Sequence, residues 1–255
     1  MILRRVIAHF RKQEWTAIAL DFLIVVIGVF VGLQVSNWNE TANDRRQEQA
    51  VLQAMLEDIA ATSRGMQEFL DINIAGSESL KALAEHIDDR TNPPPLAEID
   101  THVFRGIYQY PSLNLSMATY EELKNTGKLD LVLDQDLRKR LQLLEGAIGV
   151  VRSDTDQLES LTLNTTDKYL LENYDFRGLV SLRIGETPAY VDWVDPEENR
   201  IDISGIFDDP YFMNLVLLRA RLNSAYQRDT NRLLVELADI EALIKSKLKP
   251  EGRQQ

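Results

Sequence analysis

A carboxylate inside an apolar stretch is the most chemically loaded position in this sequence. Residues Ala17–Val35 are apolar or small except for Asp21 and Gln34, and an acid at the centre of a membrane helix costs about 2.5–3.5 kcal/mol on insertion scales. At 100° per residue, Ala17, Asp21, Ile24, Gly28, Gly32 and Val35 fall within a sector of about 80° on one helix face. Gly28-Val29-Phe30-Val31-Gly32 is a GxxxG pattern, which lets two helix backbones approach closely in lipid. Three roles are open to Asp21: an interfacial acid that reaches the head groups, a group buried at a helix–helix contact, or a proton carrier of the kind membrane motors use.

Elsewhere the residue types offer little chemistry. The three histidines, His9, His86 and His102, include no His-Glu-x-x-His or Glu-x-x-His pair, so zinc-protease and di-iron bundle sites are unsupported. His86 with Asp88, Asp89 or Asp100 offers metal-binding groups, although solvated surface residues are the simpler reading. No nucleophile elbow, phosphate loop or dinucleotide fingerprint is present. Without cysteine there is no disulfide, thiolate nucleophile or cysteine metal site. The acid clusters Glu121-Glu122, Asp195 with Glu197-Glu198, and Asp208-Asp209 read as solvated faces or caps. No catalytic residue, cofactor or metal site is therefore assigned, and the expectation is a protein that is not an enzyme. Tyr190 and Trp193 are different: on an irregular stretch they either form a partner surface or, with Phe207, plug the end of a helical bundle.

The span that positions Asp21 is nineteen residues long, enough to cross a hydrocarbon core of roughly 30 Å as a helix. Trp15 and Trp38 bracket it, as indoles do at membrane interfaces. Before it stand Arg4, Arg5, Arg11 and Lys12 against Glu14; after it, Arg45 and Arg46 are offset by Glu40, Asp44 and Glu48. The positive-inside bias then places residues 1–14 in the cytoplasm and the large C-terminal part in the periplasm of a bacterium. The apolar run is long, and no small-x-small pair follows it, so an uncleaved anchor fits better than a cleaved signal peptide. All but four of the 28 Lys/Arg and all but two of the 40 Asp/Glu lie beyond Trp38, a net charge of about −14 there. That composition excludes an electrostatic footprint for nucleic acid. It also repels anionic head groups.

The rest reads as helices. A solvated stalk covers 39–50, and from Val51 the apolar residues Leu52, Met55, Leu56, Ile59, Met66, Phe69, Leu70, Ile74, Leu80, Leu83 and Ile87 form one stripe up to about Asp88. Gly65 and Gly76 are candidate breaks. Thr91-Asn92-Pro93-Pro94-Pro95 ends this helix. A second helix is expected over Leu96–Gln109, closed by Pro111. A third starts near Ser116–Thr119 with Thr119-x-x-Glu122 as a capping box and Gly127 as its left-handed stop. Tyr120 reads as a core aromatic bonded to a backbone group. Asp134 caps a long helix over about Gln135–Asn173. Residues 174–208 break the pattern, with a hairpin of Leu179–Ile184 against Ala189–Val194 as one reading. Asp209-Pro210 opens the last helix, which runs to about Leu248, and 249–255 reads as a disordered tail. The fold class is all-α: a transmembrane helix over 15–38 continuing as a stalk into an antiparallel bundle over 51–248.

Two segments carry a resemblance. Asp21-Phe-Leu-Ile-Val-Val-Ile-Gly-Val-Phe-Val-Gly-Leu-Gln-Val-Ser-Asn-Trp-Asn-Glu40 is similar to the head of an uncharacterised family of bacterial single-span proteins that contain a domain of unknown function. Ser36 stands where that family usually has Asn, and Asp21 where it more often has Glu. Thr119–Leu129 resembles the family's Tyr-x-x-Leu-x-x-x-Gly segment. The resemblance implies a membrane-anchored, mostly helical protein and no known activity. The expected partners are the lipid bilayer, a second copy of the chain as a homo-oligomer, and, in a second reading, a polytopic membrane protein of an ion-driven or transport complex.

Overall fold

The computed structural model describes residues 15–110, 115, 117–182, 191, 193–195 and 197–248. The expected segments 1–14 and 249–255, the helix-ending Pro111, the helix-opening Ser116 and Tyr190 lie outside the described residues. The chain divides into two compact units, Met1–Val51 and Leu52–Gln255.

Helix α1 is continuous from Trp15 to Asp88. In the first unit the side chains of Leu20 and of Phe22–Trp38 are exposed, as are most of those over 39–51. In the second unit α1 buries Leu52, Met55, Ile59, Met66, Leu70, Leu80 and Leu83, the spacing of one helical face. Neither glycine breaks it. At Gly76 a Cβ would come 2.8 Å from the Arg105 carbonyl oxygen, so this residue is where a neighbouring segment approaches closely. The stripe also departs from expectation at Ile74, which is exposed, while Asn73 is buried. Asn73 faces inward because its Oδ1 accepts a bond from Gln227 Nε2 at 2.9 Å.

After the proline turn, α2 (Leu96–His102) runs directly into a π-helical turn, Val103–Tyr108. Helix α3 (Ala118–Asn125) begins after Met117. The expected capping box does not form. Thr119 lies inside the first turn, and its N–H donates to Asp58 Oδ2 on α1 at 2.7 Å, so the cap comes from another helix. Gly127 does stop the helix in the left-handed region at φ 69°. A 3₁₀ turn, Leu129–Leu131, leads to Asp134, whose Oδ1 accepts the Leu137 N–H at 2.8 Å and caps α4, Gln135–Leu161. A second π-helical turn, Thr162–Thr166, joins α4 to α5, Asp167–Asn173.

Helix α6 (Phe176–Val180) occupies the start of the expected hairpin. Leu179 and Val180 are therefore helical, because Asp175 caps the turn by accepting the Arg177 N–H at 3.0 Å. Most of the rest of that hairpin, 183–190 and 192, lies outside the described residues. Among the described residues there is no strand. A 3₁₀ turn, Ser204–Asp208, precedes α7, Pro210–Leu248. Asp209 Oδ1 accepts the Tyr211 N–H at 2.8 Å, the cap that Asp-Pro foretells.

The fold is all-α: α1 begins with a long apolar stretch, and in the second unit the other helices pack against its later turns. Helix α4 lies along α7. Leu137, Leu141, Leu144, Val151 and Leu158 of the one and Leu233, Leu237, Ile240 and Ile244 of the other are all buried. A separate aromatic-rich core gathers Leu80 and Leu83 of α1, Ile99 of α2, Phe104 and Ile107 of the π turn, Leu170, Leu179, Phe207 and Phe212. Tyr120 is buried as expected. Its hydroxyl, however, donates to the Glu145 carboxylate at 3.4 Å and not to the backbone, because α4 presents Glu145 there, paired with Lys124.

Candidate functional site

The first candidate surface is the face of α1 that carries Ala17, Asp21, Ile24, Gly28, Gly32 and Val35. The helix is formed across all six, so they share one side of its backbone. A Cβ added at Gly28 or Gly32 would meet nothing within 4 Å. The two glycines therefore open a shallow surface bordered by exposed Ile24, Val31 and Val35. Over the described residues this is the one helix long and apolar enough to cross a membrane. Trp38, at its far end, is exposed.

The second candidate lies where the end of α1, the proline turn, α2 and the 3₁₀ turn before α7 converge. A cavity of about 400 Å³ is lined there by His86, Arg90, Pro93, Leu96, Asp202 and Phe207 among others. The His86 ring stands edge-on to Phe207, with centroids 4.6 Å apart. Arg90 Nη1 donates to Asp208 Oδ1 at 2.6 Å, and Nη2 donates to the Phe207 carbonyl. An adjoining cavity of about 330 Å³ shares His86, Pro94 and Ile99 with the first and adds Glu85, Asp89, Glu98 and His102.

One wall of the first cavity is a strap, residues 200–203, held from behind by a buried ion network. Arg200 donates to both oxygens of Asp100, at 2.9 and 3.0 Å. Its Nε lies 3.2 Å from Asp175 Oδ2, which also accepts the Ile201 N–H at 2.8 Å. The Tyr174 hydroxyl donates to Asp100 Oδ1 at 2.7 Å. Burial, with the charge of Asp100 beside it, raises the Tyr174 hydroxyl far above its ordinary value, so it stays a donor. The hydrogen bonds it donates to the Asp100 carboxylate hold the Arg200 guanidinium above its usual range. A Cβ at Gly178 would collide with the Asp100 carboxylate, so α6 must have glycine there. Asp100 is thus committed to Arg200 and Tyr174 and is not a metal ligand with His86. Among the described residues no group of three or more His, Asp or Glu is placed to hold a metal ion.

Trp193 is 84% exposed. It does not plug the bundle end; Phe207 alone of the expected trio is seen in the core, and Tyr190 lies outside the described residues. The acid clusters divide. Glu121 and Glu122 are solvated, whereas Asp209 accepts the Tyr169 hydroxyl at 2.7 Å, a bond that pulls its carboxyl below the usual range.

Sequence reasoning missed Arg219. Only 2% exposed, it donates to Thr162 Oγ1 at 2.8 Å and to the Gln109 carbonyl, tying the two π turns together. Among the described residues its Nε meets no hydrogen-bond partner, and burial lowers the guanidinium to about 10. An arginine on a helix face gives no sequence signal for this, since its partners are 57 and 110 residues away.

No protein-family model, no curated protein and no solved structure matches this chain. What fold and surfaces define is an all-α protein with one N-terminal helix long and apolar enough to cross a membrane.

Proposed function

We propose that this chain is a membrane-anchored helical interaction protein of the bacterial inner membrane that self-associates through its span. The observation that carries the reading is the face of α1 at Gly28 and Gly32, open on a helix whose side chains over 22–38 are all exposed. Exposed apolar side chains of that extent belong in lipid, and small residues on one face favour a second helix. In this reading 1–14 is cytoplasmic, Trp15 and Trp38 mark the two interfaces, 39–50 is the stalk, and the bundle over 51–248 stands in the periplasm. The likeness of Asp21–Glu40 to the heads of single-span bacterial proteins supports the same layout. No reaction is assigned to it. The test is oligomeric state in mild detergent: Gly28→Leu with Gly32→Leu should shift the protein to monomer. An unchanged oligomer would remove self-association through this face.

Asp21 favours a second reading, in which the chain is an accessory subunit of an ion-driven or transport complex and pairs this acid with a polytopic partner. Asp21→Asn would then abolish the activity of that complex, while in the first reading the bundle's interactions are unaffected.

A further inference from the structure

The paired cavities beside the proline turn point to a ligand, independently of how the span associates. Volumes of about 400 and 330 Å³ lie in the range of small-molecule sites. Buried apolar residues line both: Ile99 borders the two cavities, Ile203 and Phe207 the first, and Leu83 the second. The rim is acidic. Asp202 and Asp208 border the first cavity, and Glu85, Asp89 and Glu98 the second. Against these five carboxylates stand two cations: Arg90, already bonded to Asp208 and to the Phe207 carbonyl, and Lys81, 3.6 Å from Glu85, which leaves the rim net negative. The remaining titratable groups are His86 and His102, the latter 3.6 Å from Glu98. Asp89 and Asp202 accept backbone N–H bonds from Thr91 and Ser204, at 3.0 and 2.9 Å. Those bonds hold both carboxyls below the usual range and therefore charged at neutral pH.

An apolar floor under a rim of surplus negative charge selects its occupant by charge and shape together. An anionic amphiphile would meet like charge at the rim, and a fully hydrated inorganic cation would gain nothing from Phe207 and Ile99. We propose that this cleft binds a small organic cation, an ammonium or guanidinium carried on an alkyl or aryl body. The body would lie over Ile99 and Phe207 and the charged end would meet Asp202 or Glu98. The strap that carries Asp202 is fixed by the Arg200–Asp100 pair, so the site is built before any ligand arrives.

The experiment uses the full chain in lipid nanodiscs and two photoreactive probes of equal length. One is a diazirine-bearing alkylammonium, the other its alkylcarboxylate counterpart, and adducts are mapped by peptide mass spectrometry. The ammonium probe should label peptides covering 83–99 and 201–208 about tenfold more than the carboxylate does, the factor given by 1.4 kcal/mol of discrimination. Glu98→Gln with Asp202→Asn keeps the shapes of these exposed side chains and should reduce the ratio to near one. Equal labelling by both probes, labelling confined to other peptides, or an unchanged ratio in the double variant would overturn the proposal. Gly28→Leu with Gly32→Leu should label like the unsubstituted protein, so failure of the span reading and failure of this one are separable.

Discussion

Replacing Arg200 by methionine removes one buried charge and leaves two. Arg200 is 9% exposed at its side chain, Asp100 3% and Asp175 4%. Breaking a buried pair by deleting one partner costs about 3–5 kcal/mol, because the remaining charge has neither water nor counter-ion. Asp175 keeps the Ile201 and Arg177 N–H bonds, and Asp100 keeps only the Tyr174 hydroxyl, so Asp100 carries most of that cost. For a helical unit of this size, 1 kcal/mol corresponds to roughly 2–4 °C in melting temperature, so the expected loss is roughly 6–20 °C. Thermal unfolding followed by far-ultraviolet circular dichroism reads this directly. Adding Asp100→Asn to Arg200→Met should restore part of the loss, since an amide at 100 still accepts the Tyr174 bond and brings no charge. Coupling between the two sites should then reach about 1–3 kcal/mol. If Arg200→Met melts within 2 °C of the unsubstituted protein, or the two substitutions simply add, the strap is not held by this network and the account of the cleft wall is wrong.

Three further outcomes are expected. Gly178→Ala, which drives a Cβ into the Asp100 carboxylate, should destabilise the protein by about 1–3 kcal/mol, and an unperturbed melt would mean that α6 does not pack as described. Asp58→Ala, which removes the cap on the Thr119 N–H, should cost about 1 kcal/mol, whereas Thr119→Ala should cost much less, because Thr119 is not the cap; denaturant unfolding separates the two. Burial first, then the nearby charge of Asp229, raises the Asp154 carboxyl above its ordinary value. A raised carboxyl favours the folded state fully below its unfolded value and loses that favour as pH rises through the folded one. Asp154→Asn should therefore melt higher than the unsubstituted protein at pH 7, with the gap closing towards about pH 4, and a gap that widens in acid would reverse the assignment.

Local chemistry was legible in the sequence. Asp134 and Asp209-Pro210 announce their helices because a cap needs only its own next three residues, and Gly127 ends α3 by a conformation that few other residues adopt. The α1 stripe was readable through its period, except where Asn73 found a partner on α7 and turned Ile74 outward. What failed was non-local. Thr119 looked like a cap, but Asp58, 61 residues earlier in the chain, supplies one. Asp100 and Arg200 are 100 residues apart, and neither differs in sequence from a solvated charge. Leu179–Val180 carry β-branched and apolar character, yet the Asp175 cap makes them helical. The two π turns have no signature of their own; they are visible only once Arg219 is seen bonding to Thr162 and Gln109.

The claim on which the functional reading rests is that the Gly28–Gly32 face of α1 meets a second copy of itself. The chain contains no cysteine, so single cysteines placed one at a time from position 24 to 35 give an unambiguous readout of oxidative cross-linking in native membranes. A disulfide requires Cα atoms within about 7 Å, a distance that only facing residues reach. Covalent dimer should peak at positions 28 and 32 and reach its minimum at 26 and 30, on the opposite side of the helix. Cross-linking that peaks at 26 and 30, shows no helical period, or is absent at every position would contradict it.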